Sequence, residues 1–294
     1  MLGSADTTVS RRLFLKQIAA TTACFMAPES YSSANVEELR FGLTPVFLTS
    51  DLELLGRLQL YLSRATGFPV TLLTRRTYQE IVALLISRQI DAAWICGYPY
   101  VMHESELQLV AIPEWRGRPL YQSYLIVDAD RDGDDLGDLR GDTHAFSDPD
   151  SNSGFLVTRA ALAEMRETPE RFFARTFFTY GHRNVIRAVA SGLAASGSVD
   201  GYVYEVVAAM EPALAARTRV MWRSEWLGFP PIAAPRNPVD PARLALLSKA
   251  LLHMMEDEDG RAVLAMLRLD GFVSRGPELF GPIAAKAALV ASAG

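Results

Sequence analysis

The sequence predicts an α/β fold in two lobes around a hinged cleft, and three observations carry that expectation. Short apolar strands alternate with amphipathic stretches from Leu39 to Ile95, then do so again from Thr143 to Met210. A polar, aspartate-rich segment, Asp128–Asp135, separates the two sets. The last third reads as helices too numerous for the second set alone, so the chain is expected to return to the first. Strand–helix alternation implies parallel sheets with helices on both faces, and sites in such sheets lie beyond the carboxyl ends of the strands.

In the first set, Leu39–Leu43 reads as a strand ending at Thr44-Pro45-Val46-Phe47, and Ser50 or Asp51 is placed to cap a helix over Leu52–Ala65. Strand Val70–Leu73, helix Tyr78–Ser87 and the fully apolar strand Ala92–Ile95 follow. Thr44 and Phe47 after the first strand, and Cys96, Gly97, Tyr98 and Tyr100 after the third, are therefore expected at one cleft. Tyr98 and Tyr100 are equally readable as half-buried packing. A helix near Val101–Glu106, a strand near Leu109–Ile112 and an apolar strand over Tyr121–Val127 complete this part.

Asp128, Asp130, Asp132 and Gly133 imitate the start of a calcium loop, but the twelfth position is Leu139 and not the bidentate glutamate. A solvated loop is the better reading. The second set then reads as strands Thr143–Ser147, Thr176–Tyr180 and Val199–Val203, with helices Ser153–Met165, Asn184–Ser191 and Tyr204–Met210. Thr218–Trp222 and Ile232–Ala234 are further strands, and Asp240–Glu256, Gly260–Leu267 and Glu278–Ala291 are helices. The expected division is residues 35–127 plus 224–294 for one lobe and 128–223 for the other.

The stretch from His144 through Asp148, Ser151, Asn152 and Ser153 to Gly154 joins a strand to a helix through small hydroxyl residues. A helix start leaves backbone N–H groups unpaired and carries partial positive charge, so it can hold an oxyanion. The plainer alternative is a capped helix with a glycine for close packing.

Composition narrows the function. The 294 residues are 49% hydrophobic and 21% charged, with a net charge of −5. A basic nucleic-acid surface is not expected, nor does any apolar run reach bilayer-spanning length. Ser10-Arg11-Arg12-Leu13-Phe14-Leu15-Lys16, a short apolar segment and a small-residue run ending at Ala34 match a twin-arginine export signal over residues 1–34. Removing it takes away Arg11, Arg12, Lys16, Asp6 and Glu29, leaving −6. Cys24 leaves with it, and Cys96 remains alone, unable to form an internal disulfide.

Four motifs carry a resemblance over about Leu39 to Leu267: Arg40-Phe-Gly-Leu-Thr-Pro45; Gln89 through Ile95-Cys96-Gly97-Tyr98-Pro99-Tyr100 to Val101; Leu136-Gly-Asp-Leu-Arg-Gly141 running through Asp148-Pro149 to Gly154; and Gly181-His182 followed by Ala188 to Gly192 and Val199-Asp200-Gly201. Together they resemble the phosphate, phosphite and phosphonate-binding periplasmic proteins of ABC transporters. The resemblance implies a two-lobe, periplasmic-binding-protein-like type II fold that closes on a small oxyanion at Ser151, Ser153 and the N–H groups near Gly154. His182, in the family's Gly-His position, is implied to face the same cleft, although it also reads as a loop residue before a helix. Asn152 departs from the family's Ser-Thr-Ser-Gly by placing an amide where a hydroxyl is usual. Glu205 is either a receiver for a ligand ammonium or a carboxylate near a helix start.

The resemblance further implies a monomer in the periplasm that works with an ABC permease, without a cofactor or catalytic residues. Arsenite-sensing relatives offer the alternative of Cys96 as a soft ligand for arsenic and a membrane histidine kinase as partner. No nucleophile motif supports an enzyme built on Cys96 with His182 or His103.

Overall fold

A computed structural model describes residues 38–45 and 52–293. The twin-arginine segment, Phe47 and the expected cap at Ser50 or Asp51 lie outside the described residues. In chain order the strands are β1 (Leu39–Leu43), β2 (Val70–Thr74), β3 (Ala92–Trp94), β4 (Leu107–Glu114), β5 (Leu120–Tyr121), β6 (Ser123–Asp128), β7 (Thr143–Phe146), β8 (Arg175–Phe178), β9 (Ser196–Asp200), β10 (Thr218–Arg223), β11 (Leu227–Gly228), β12 (Ile232–Pro235) and β13 (Gly271–Val273).

They form two sheets with the same internal plan. The first runs β2-β1-β3-β12-β4-β13 and the second β8-β7-β9-β6-β10. In each, three consecutive strand–helix units build a parallel core with the first strand in the middle: β1 pairs parallel to β2 and β3, and β7 to β8 and β9. The next place is taken by an antiparallel strand, β12 in the first sheet and β6 in the second. The parallel core expected is present in each sheet, and the antiparallel strand makes each sheet mixed. A strand that enters from the other sheet arrives at the far end and can only pair antiparallel.

The segment expected to close the first set, Tyr121–Val127, instead supplies β6, which pairs with β9 and β10 of the second sheet. Its apolar character suits either sheet, so only pairing decides. The passage between sheets therefore precedes β6, and the return follows β10. These two connecting segments lie side by side as the short antiparallel pair β5 and β11, with Phe229 donating its N–H to the Pro119 carbonyl at 3.0 Å.

After the return, helices Pro241–Leu252 and Glu258–Leu267 pack against Leu52–Thr66, and the Tyr61 hydroxyl donates to the Ala250 carbonyl at 2.6 Å. The core is apolar and fully enclosed at Leu39, Leu62, Ile81, Val185 and Ile232. A separate cluster rich in phenylalanine, including Phe146, Phe172 and Phe173, lies under the second sheet. The aspartate-rich loop is tied by its own carboxylates: Asp138 accepts from the N–H groups of Asp134 and Asp135.

Val199–Val203 does not continue as a strand. β9 stops at Asp200, whose carboxylate accepts the Val203 N–H at 3.1 Å and starts a helix over Gly201–Met210. The β-branched valines read as strand residues, but the cap overrides them.

Candidate functional site

Five helices begin where strands of the two sheets end. Tyr78 opens Tyr78–Ile86 after the Thr77 cap, and Gly97 opens Gly97–Met102 after Cys96, both beyond the first sheet. Beyond the second sheet, Asn152 opens a π-helical turn, Asn152–Leu156, that continues as Val157–Glu164; His182 opens His182–Ala190, and Gly201 opens Gly201–Met210. Each start presents backbone N–H groups that its own helix cannot pair.

Side chains from both sheets meet among these starts. The Tyr78 N–H donates to Asp148 Oδ2 at 3.3 Å, and the Tyr78 hydroxyl lies 3.2 Å from His182 Nε2. The Asn152 N–H donates to Cys96 Sγ at 3.2 Å, and Asn152 Nδ2 donates to the Tyr121 hydroxyl at 2.8 Å. Tyr78, Cys96, Tyr121, Asp148, Asn152, His182 and Asp200 are all buried.

The hydrogen bonds fix the protonation of the histidine. Asp200 donates its backbone N–H to His182 Nδ1 at 3.0 Å, so that nitrogen carries a lone pair. In the neutral ring the proton then sits on Nε2 and is aimed at the Tyr78 oxygen, leaving the tyrosine O–H free to donate elsewhere. Burial agrees with this state, pushing the imidazole down to about 3. Burial also pushes the Cys96 thiol up to about 12 and the Asp200 carboxyl up to about 7, while backbone N–H groups pull both back. The Tyr78 hydroxyl is held well above its ordinary range by burial, with Cys96 and Asp148 adding to the effect.

The serine turn is built on contact. Ser151 Oγ accepts the Gly154 N–H at 2.9 Å, and the Ser147 N–H donates to the Gly154 carbonyl at 3.2 Å. A Cβ on Gly154 would lie 1.9 Å from Ser147 Oγ, so only glycine fits. Three buried polar atoms find no hydrogen-bond partner among the described residues: Ser147 Oγ, Asn152 Oδ1 and Ser153 Oγ. Buried polar groups are normally paired, so this group marks the place of a missing polar partner.

The residues singled out in the sequence divide. Cys96, Ser151, Asn152, Ser153, Gly154 and His182 come together. Thr44 lies at the β1 tip, its hydroxyl donating to the Trp94 carbonyl at 3.0 Å. Gly97 packs under Phe280 and Ile283, where a Cβ would come within 2.7 Å of Ile283, and the Tyr100 ring lies tilted against Phe280, with centroids 4.9 Å apart. Tyr98 is half-buried on the rim with Gln79, Met102, His103 and Asp150. Glu205 instead meets Arg116 at 3.2 Å and the Tyr124 hydroxyl at 3.3 Å.

Tyr78, Tyr121, Ser147, Asp148 and Asp200 join the cluster without having been singled out as site residues. Asp200 had a signal, an acid at the end of an apolar run, but the valines after it hid the strand end. Tyr78 carried none, because the first aromatic of an amphipathic helix reads as core.

Two sheets of one plan, joined by paired connections and sharing a buried polar cluster at their strand ends, define a two-lobe solute-binding protein. Solved structures agree on the fold. A binding protein component of an ABC phosphonate transporter from Pseudomonas aeruginosa is 21% identical, with 87% of each chain covered and a TM-score of 0.80. PhnD1 from Prochlorococcus marinus, solved in complex with methylphosphonate, is 16% identical over 86% of this chain and 98% of that one, with a TM-score of 0.77. A protein from Xanthomonas citri, solved with chloride ion, is 20% identical over 87% and 99%, with a TM-score of 0.70. The family described as ABC transporter, phosphonate, periplasmic substrate-binding protein matches residues 41–278, and the chain belongs to that family. It is a periplasmic substrate-binding component of the phosphonate class of ABC transporters.

Proposed function

We propose that the cluster at the strand ends captures a small phosphorus oxyanion, of phosphonate, phosphite or phosphate type, and presents it to an ABC permease. The observation that carries this reading is the pair of unpartnered buried hydroxyls, Ser147 Oγ and Ser153 Oγ, on and beside the turn that opens at Asn152, whose own unpartnered Oδ1 can only accept. Ser151 and Ser153 supply hydroxyl donors and Tyr78 a third, oriented by His182. Helix starts supply backbone donors and partial positive charge. Each hydrogen bond to a charged oxygen contributes about 1.5–3 kcal/mol, so four or five, after the cost of binding, give micromolar affinity or better.

The lobes meet this ligand from both sides, which is how binding favours a closed state. Cys96 and Tyr78 stand on the first and Ser151 to Gly154 with His182 on the second. The lobe boundaries are assigned to the paired segments around β5 and β11. Export by the twin-arginine route and action as a monomer complete the reading. The arsenite-sensor alternative draws less support, because burial keeps the Cys96 thiol protonated and arsenic chemistry needs the thiolate.

Isothermal titration with phosphate, phosphite, methylphosphonate and 2-aminoethylphosphonate tests the proposal. Binding of at least one is expected at micromolar concentration, and silence towards all four at millimolar concentration overturns it. Tyr78→Phe should weaken the bound ligand about tenfold to a hundredfold, since it removes one donor to a charged oxygen.

A further inference from the structure

Phosphorus oxyanions with two ionisable oxygens divide between singly and doubly charged forms near neutrality, as phosphate monoesters do with a second ionisation at about 6. Resting on the oxyanion reading above, the composition of the cluster bears on which form is taken. The ionisable groups there are Tyr78, Cys96, Tyr121, Asp148, His182 and Asp200, and none of them brings a full positive charge.

His182 is neutral by geometry, because a proton on Nδ1 would face the Asp200 N–H that now donates to it. The carboxyls add no positive charge, and burial raises both above their ordinary range: Asp148 accepts from the N–H groups of Tyr78 and Asp150, and Asp200 from that of Val203. The arginines on neighbouring elements are paired with other groups or exposed, Arg76 and Arg187 among the exposed ones. Arg183 pairs with Glu211 at 2.6 Å, and Arg75, exposed, donates to the Thr74 carbonyl at 2.8 Å. Positive potential therefore comes from helix starts, each worth about half an elementary charge at most, and the two carboxyl groups already draw on it.

Asn152 adds a directional requirement. Its backbone N–H is engaged by Cys96 and its Nδ2 by Tyr121, which leaves Oδ1, buried and unpartnered, able only to accept. A fully ionised phosphonate has no hydrogen to give it and would set lone pair against lone pair. A ligand P–OH would satisfy it.

We propose that the crevice selects the singly charged, protonated form of its oxyanion, with the remaining P–OH donating to Asn152 Oδ1. The doubly charged form meets too little positive charge and an acceptor it cannot satisfy.

The test is isothermal titration across the pH range around each ligand's second ionisation, with methylphosphonate and with dichloromethylphosphonate, whose chlorines make that ionisation more acidic. The dissociation constant should be flat below each ligand's own second ionisation and rise about tenfold per pH unit above it. The break should come at lower pH for the chlorinated ligand. Asn152→Thr, whose hydroxyl can donate or accept, should flatten the rise; an unchanged rise removes the assigned role of Asn152. A break at the same pH for both ligands would make a protein group, such as Asp200, the titrating one and overturn the proposal while sparing the oxyanion reading. Failure of both ligands, and of phosphate, phosphite and 2-aminoethylphosphonate, to bind at any pH removes the oxyanion reading itself.

Discussion

The backbone N–H of Asn152, at the tip of the second sheet, donates to the sulfur of Cys96, at the tip of the first, at 3.2 Å. The thiol also receives the Tyr98 N–H, and burial holds it protonated. Cys96 is therefore an acceptor in the contact between sheets. Cys96→Ser keeps an acceptor there, whereas Cys96→Ala leaves buried N–H groups unpaired at a cost of about 1–3 kcal/mol. Urea denaturation should rank wild type and Ser together above Ala. An alanine variant as stable as the serine one would show that the sulfur contact carries no weight.

Gly154 and Ser147 are locked to each other by a backbone hydrogen bond and by contact. A methyl group at 154 would meet not only Ser147 Oγ but also Ser147 Cβ, at 2.7 Å, so rotating the serine does not relieve it. Gly154→Ala should cost about 1–3 kcal/mol through overpacking and abolish oxyanion binding. Combining it with Ser147→Gly should recover much of the stability but little of the affinity, a non-additivity that a double-mutant cycle measures. Full stability of the single alanine variant would mean that the turn has room the structure does not show.

Much of this arrangement is legible in the sequence because strand ends and helix starts have local chemistry. The apolar run before Cys96, the hydroxyl-rich turn before Gly154 and the Gly181-His182 pair all announce a strand tip or cap. Pairing between distant segments is not written locally. β6 has the same apolar pattern whichever sheet it joins. Tyr78 joins the buried cluster only because the second lobe brings His182 and Asp148 against it. Glu205 reads as a candidate from its place after an apolar run, while the valines around Asp200 conceal where the strand ends. In the structure Arg116 engages the glutamate, while the aspartate is enclosed.

The same buried groups set how stability responds to acid. His144, held between the Ser196 and Ser198 hydroxyls at 2.8 Å each, and His182 are pushed by burial from 6.5 to about 3. Between those values the unfolded chain binds two protons that the folded one refuses, so their stabilisation is complete above pH 6.5 and is lost as pH falls towards about 3. Asp200 has the opposite sign. Burial raises it from 3.8 to about 7, so its contribution is complete below 3.8 and is lost as pH rises towards about 7. Across the overlap each group contributes up to about 1.4 kcal/mol per pH unit, and the two histidines outweigh the one aspartate. Asp200→Asn keeps the helix cap, since asparagine caps as well as aspartate, but removes the opposing titration. Urea midpoints of the ligand-free protein should therefore rise more steeply with pH in the variant than in the wild type across this window. An equal or shallower rise would show that Asp200 does not titrate as a buried acid.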